Sequence, residues 1–159
     1  MSELYIKTIE RLVIIGLVTI VALTLASTLV RFAGYGGIYW AEEVSRYVTI
    51  WIVFLAAGLG IRFWIHLNVD VLVVQLPVAA QRGVMIFCLL LMMAFQVVLL
   101  WFGAKLAISN HAQQSASLQM PMSFAYAAIP VGALIMLFET ARLIGREYRG
   151  KPREMLLID

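Results

Sequence analysis

The sequence predicts an all-α integral membrane protein with four transmembrane helices. Three observations carry that prediction. Of 159 residues, 63% are hydrophobic and only 13% charged, against roughly a quarter charged in soluble domains. The mean hydropathy is +0.94, more apolar surface than one soluble core of this size uses. The apolar residues also fall into four runs, Leu12–Val30, Tyr47–Ile61, Val84–Ala104 and Phe124–Phe138. About 20 helical residues cross a hydrocarbon core of about 30 Å. The runs are apolar on all sides rather than alternating, so helices are preferred to barrel strands.

With their flanks, the spans are read as residues 12–32, 44–64, 83–104 and 124–142 of a single domain, 1–159. The second reaches full length if Arg46 and Arg62 snorkel to the two interfaces. Four spans put both termini on one side. That side holds Lys7, Arg11, Arg62, Arg82, Arg142, Arg146, Arg149, Lys151 and Arg153; the other holds Arg31, Arg46 and Lys105. The positive-inside rule makes the first side, and both termini, cytoplasmic. The basic tail reads as a topology anchor facing anionic lipid, not as a nucleic-acid site.

The first span follows Lys7 and Arg11 but is longer than a signal-peptide core, so it is read as uncleaved. It carries hydroxyls and small residues, among them Ala22 and Ala26 on one face, and no acid. A short outer loop follows, where Gly34, Gly36 and Gly37 support a tight turn. Tyr35, Tyr39 and Trp40 form an aromatic belt.

The second span opens with Glu42 and Glu43, four and three residues before Arg46. That spacing predicts a helix start with an ion pair internal to the helix. Deeper in, Ala56 and Gly60, extended by Ala57 and Gly58, make a small-residue face for close helix packing. Arg62, His66 and Asp70 mark the inner interface. Residues 65–82 are expected to hold a short segment in the interface plane, ending near Pro77.

The third span contains Gln96, an amide that is costly in lipid unless it faces protein. Its helix is expected to continue some turns past Lys105 into a polar, nearly uncharged outer connection reaching Ser123. The fourth span holds Pro130 and Gly132; the proline frees a carbonyl and bends the axis. Glu139 stands three residues before Arg142, a pairing distance at the inner interface.

Enzyme chemistry is not expected. No nucleophilic triad, HExxH motif, cysteine pair or phosphate-binding glycine loop occurs. His66 and His111 fall on opposite sides of the membrane, so they share no metal. Cys88 is alone, which excludes an internal disulfide. No catalytic, metal or substrate-binding residue is therefore assigned. A self-sufficient, homo-oligomeric small transporter is the alternative, but the span interiors lack the ionisable coupling residue such proteins keep near the midplane. Membrane-spanning mass without a coupling site suits an accessory subunit of a larger permease.

Three stretches then carry a resemblance: WAEEVSRYVTIWIVFL from Trp40, Gly60–Arg62 followed by HLNVDVLVVQLP, and AYAAIPVGALIM from Ala125. They are similar to the small membrane subunit of tripartite ATP-independent periplasmic (TRAP) transporters, over nearly the whole chain. The resemblance implies an inner-membrane scaffold subunit of a binding-protein-dependent secondary transporter for organic acids. Its partners would be a large permease of about twelve spans, which binds sodium and substrate, and a periplasmic substrate-binding protein. No cofactor is expected in this chain. Trp40, Glu42, Glu43 and Arg46 become candidates for outer-face structure or docking, and Arg62, His66 and Asp70 for the inner interface. Ala56, Gly60, Gln96, Pro130 and Gly132 are candidates for helix packing.

Overall fold

The computed structural model describes residues 3–62 and 77–148. These form α1 (Glu3–Phe32), α2 (Tyr39–Arg62), α3 (Val78–Ser109), the single turn α4 (Ser123–Tyr126) and α5 (Ala128–Tyr148). Among the described residues there is no strand, only one antiparallel bridge between Gln114 and Pro121. Four stretches are long and apolar enough to cross a membrane: Leu4–Phe32, Tyr39–Arg62, Gly83–Ser109 and Ser123–Gly145. The interfacial segment expected before Pro77, with His66 and Asp70, lies outside the described residues.

Local chemistry sets the helix ends. α1 stops at a Schellman turn: Tyr35 N–H bonds the Val30 carbonyl at 3.3 Å and Gly34 N–H that of Arg31 at 3.2 Å. Gly34 takes φ of 81°, a left-handed conformation that side chains disfavour. α3 begins directly after Pro77, whose carbonyl accepts the N–H groups of Ala80 and Gln81 at 2.8 and 3.0 Å. It ends one turn past Lys105, where Asn110 bonds the Leu106 carbonyl through both its backbone N–H and its side chain. The fourth span is broken at Ala127 between α4 and α5, three residues ahead of Pro130. A proline offers no N–H to the preceding turn. Near this break the Phe124 carbonyl accepts the Trp51 indole N–H at 3.1 Å, a tie from α2.

The helices pack as an open row. α1 lies chiefly on α2, α2 on α5, and α5 on α3. α5 therefore has a helix on each side, and the core runs along it through Ala133, Met136 and Leu143 against Ile61, Met85 and Leu89. Glycines let these backbones approach. A Cβ on Gly132 would stand 2.5 Å from the Phe54 Cβ and 3.0 Å from its carbonyl oxygen. One on Gly58 would meet Ile135 across the same interface. One on Gly103 would lie 2.6 Å from Ile129 and 3.2 Å from the Pro130 ring. α1 is different. Only Ile9, Gly16 and Ser27 are buried along it, while Ile14, Ile15, Leu17, Val18 and Leu25 stay more than half exposed.

The row has two distinct ends. Tyr5, near the start of α1, stands close enough to Arg62, Glu139 and Arg142 to feel their charge. The described chain therefore begins and ends at one side, the terminal end. The α1–α2 turn and the connection from α3 to α4 share the other, the loop end.

Candidate functional site

At the loop end, the residues singled out on α2 sort into different partnerships from those their spacing suggests. Glu42 and Glu43 do not pair with Arg46. Glu42 instead receives the Arg31 guanidinium at 2.6 Å, across the glycine turn. Glu43 turns to the opposite connection: its Oε2 accepts the backbone N–H groups of Ser117 and Leu118 at 2.8 and 3.2 Å. Its Oε1 accepts the Tyr47 hydroxyl at 2.7 Å, with the Met122 sulfur 3.1 Å from that hydroxyl. The physical reason is competition. An exposed i,i+4 ion pair is worth about 0.2–0.5 kcal/mol, whereas N–H donors onto a carboxylate are charge-assisted bonds. Arg46 stays exposed.

The connection that Glu43 holds is itself ordered. Ser115 N–H bonds the Met120 carbonyl at 2.9 Å, and Met122 N–H that of Gln113 at 2.8 Å. The buried Ser115 accepts the Met120 N–H at its hydroxyl, 3.2 Å away, and stands beside the Glu43 carboxylate. Gln119 closes the tip at φ of 56°. His111 Nδ1 and the Ser123 hydroxyl, 3.0 Å apart, brace its base. The result is a built surface: a looped segment latched to α2, flanked by Trp40, which is 49% exposed, and by the exposed Glu42–Arg31 pair.

Inside the row, Gln96 is 1% exposed and donates through Nε2 to the Thr140 hydroxyl at 3.0 Å, joining α3 to α5. Gly132 lies in the α2–α5 contact and Pro130 beside Gly103 of α3. Of the small residues on α2, Gly58 is buried with a Cβ there meeting Ile135 of α5, and Ala56 and Gly60 are half-buried.

Glu139 is the residue the sequence under-describes. It is 4% exposed and lies 3.6 Å from Arg62 and 3.5 Å from Arg142. The Glu139/Arg142 spacing was visible in the sequence, but the arrival of Arg62 from α2 was not. No group of His, Cys, Asp and Glu able to hold a metal occurs among the described residues. The molecule offers a latched loop surface at one end, a charge cluster at the other, and an amide tie between two of its helices.

Comparisons with known proteins agree on one family. Residues 20–150 match the model for "Tripartite ATP-independent periplasmic transporters, DctQ component". A TRAP transporter small permease protein of Haemophilus influenzae is 32% identical over 143 residues, covering 87% of this chain and 86% of its own length. The C4-dicarboxylate TRAP transporter small permease protein DctQ of Rhodobacter capsulatus is 30% identical over 101 residues. The isethionate TRAP transporter permease protein DctMQ of Oleidesulfovibrio alaskensis is 27% identical over 129 residues. The chain spans 44% of the Rhodobacter protein's length and 20% of the Oleidesulfovibrio protein's.

Proposed function

The chain belongs to the DctQ component family of TRAP transporters, the small permease subunits, and from that premise we propose how it serves transport. It is a multi-pass protein of the inner membrane and a transport component rather than an enzyme. In the proposed role it is a scaffold. It packs against a large permease that carries substrate and sodium, and a periplasmic binding protein delivers an organic acid to the assembled pair. Both termini face the cytoplasm, which puts the loop end in the periplasm.

One observation carries the partnership. The Oleidesulfovibrio relative is named as a joint DctMQ permease, and this chain matches a fifth of it. A small subunit that can be one part of a longer permease chain is built to sit beside the rest of it. The open row supports the same reading, since α1 and α3 leave long apolar faces without a neighbour among the described residues. Relatives named for C4-dicarboxylate and isethionate support organic anions as the cargo class.

The loop end is the proposed docking side for the delivery protein. Glu43 would act there indirectly, by holding Ser117 and Leu118 in place. Trp40, Glu42 and Arg46 would be available for contact. Reversing the charge of Glu42 and Glu43 together is expected to weaken uptake while membrane insertion stays intact; wild-type uptake by that variant would remove the docking assignment.

The decisive experiment is reconstitution. Proteoliposomes holding this chain, its large permease and the binding protein should take up substrate only with all three components and a sodium gradient. Uptake by this chain alone would overturn the scaffold role in favour of a homo-oligomeric transporter. Uptake indifferent to sodium would overturn the coupling.

A further inference from the structure

At the terminal end one buried carboxylate answers two cations. Arg62 Nη1 and Arg142 Nη1 both approach the same oxygen, Glu139 Oε1, at 3.6 and 3.5 Å. Only the Arg142 contact falls within hydrogen-bonding range. Two positive charges against one negative leave a surplus of one. Among the described residues Arg62 Nη1 is also shut away from solvent with no hydrogen-bond acceptor, although a guanidinium carries five donors and no acceptor of its own. The Arg142 guanidinium is held 5.7 Å from the centre of the Phe138 ring, which restrains it.

The arginines are not sealed in. Their side chains are 26% and 36% exposed, so each keeps donors at the rim of the cluster. Arg62 is the last described residue of its spanning helix, and Arg142 lies three residues before Gly145, the last residue of the fourth described span. At that depth long basic side chains meet lipid headgroups. Tyr5 of α1 lies within electrostatic range of the same cluster.

We propose that Arg62 and Arg142 bind the phosphate of an anionic phospholipid headgroup, with Tyr5 at the rim and Glu139 holding the two guanidinium groups in place. A phosphodiester supplies the missing negative charge, and its oxygens match the guanidinium fork. A zwitterionic headgroup brings the same phosphate with a cation of its own and leaves the surplus uncompensated. The site differs from the loop-end docking surface and does not depend on which substrate the transporter carries.

The test uses the full chain in nanodiscs made from equal amounts of phosphatidylglycerol and phosphatidylcholine. Lipids that stay bound after release are counted by native mass spectrometry. Wild type should retain phosphatidylglycerol over phosphatidylcholine, and Arg142→Gln should lower that preference about fivefold. Arg142→Lys should keep part of it. Lys105→Gln, the same loss of charge at the loop end, should leave it unchanged. Circular dichroism of each variant checks that the helices persist. Equal retention of the two lipids by wild type would overturn the proposal, as would a preference that survives Arg142→Gln. Displacement of the bound lipid by inorganic phosphate would assign the site to a free ion and overturn the lipid.

Discussion

α5 and α1 are both membrane-length helices, yet one is the centre of the molecule and the other its edge. α5 meets α2 and α3 on two sides, and its buried positions include Gly132, Ala133, Glu139 and Thr140. α1 leans on α2 alone among its strong contacts and turns most of its leucines, isoleucines and valines outward. Hydrophobicity therefore does not measure burial here. Lipid accepts a leucine as readily as a neighbouring helix does, so the buried helix is the one with small and polar residues. Glycine allows close approach, and Gln96, Thr140 and Glu139 need partners that lipid cannot supply.

Substitutions can break that contrast, beginning with the largest effect. Gly132→Ala should destabilise the chain by about 1–3 kcal/mol, the usual cost of overpacking. Its new methyl would meet the Cβ and carbonyl of Phe54, which cannot rotate away. Unfolding in detergent micelles followed by helicity measures it; unchanged stability would mean that the α2–α5 contact is looser than described. Glu43→Ala should come next, acting locally. It removes the acceptor for Ser117 and Leu118 N–H and for the Tyr47 hydroxyl. Limited proteolysis between Gln113 and Met120 should then speed up while the spans resist. Loop cleavage at the wild-type rate would show that the hairpin stands without its latch.

Gln96→Leu should cost less, about 0.6 kcal/mol, the average for a hydrogen bond between membrane helices. Thr140 can turn its freed hydroxyl to the carbonyl one turn back. The same unfolding assay reads it, and a cost several times larger would give the amide a second partner. Gly16→Ala should be smallest, because the roughly 0.5–1 kcal/mol that Ala gains over Gly inside a helix offsets the contact. It faces α2 as Gly132 does, but the atoms in its way are the tip and stem of the Ile52 side chain, 2.6 and 2.8 Å off, which can adjust. If Gly16→Ala proved as damaging as Gly132→Ala, the distinction between edge and centre would fail.

Much of the arrangement was readable in advance. Runs of apolar residues announced the four helices, and Gly34 and Gly36 announced the turn that separates the first two. Gln96 was conspicuous as an amide inside a span. The ion pairs were less readable. Glu42, Glu43 and Arg46 have ideal helical spacing, yet the acids bond Arg31 and the segment at Ser117 and Leu118 instead. Those partners lie 11 and about 75 residues away in sequence, and spacing within one helix carries no information about them. Gly58 packs directly on Ile135 of α5, a contact that the small-residue spacing on α2 could not assign, because the face of α2 that meets α5 is chosen by where α5 lies.

The number of spans, their approximate limits and the family follow from the order of the residues alone. The bilayer forces this: a spanning segment must be about 20 apolar residues long and satisfy its own backbone hydrogen bonds. The order α1, α2, α5, α3 across the row, the latch on Glu43 and the meeting of Arg62 with Glu139 arise from how the helices pack in three dimensions. In lipid every face of a helix tolerates apolar residues, so the pattern along the chain does not say which face meets protein. That choice is made by steric fit at glycines such as Gly132 and by the few polar groups that must find each other.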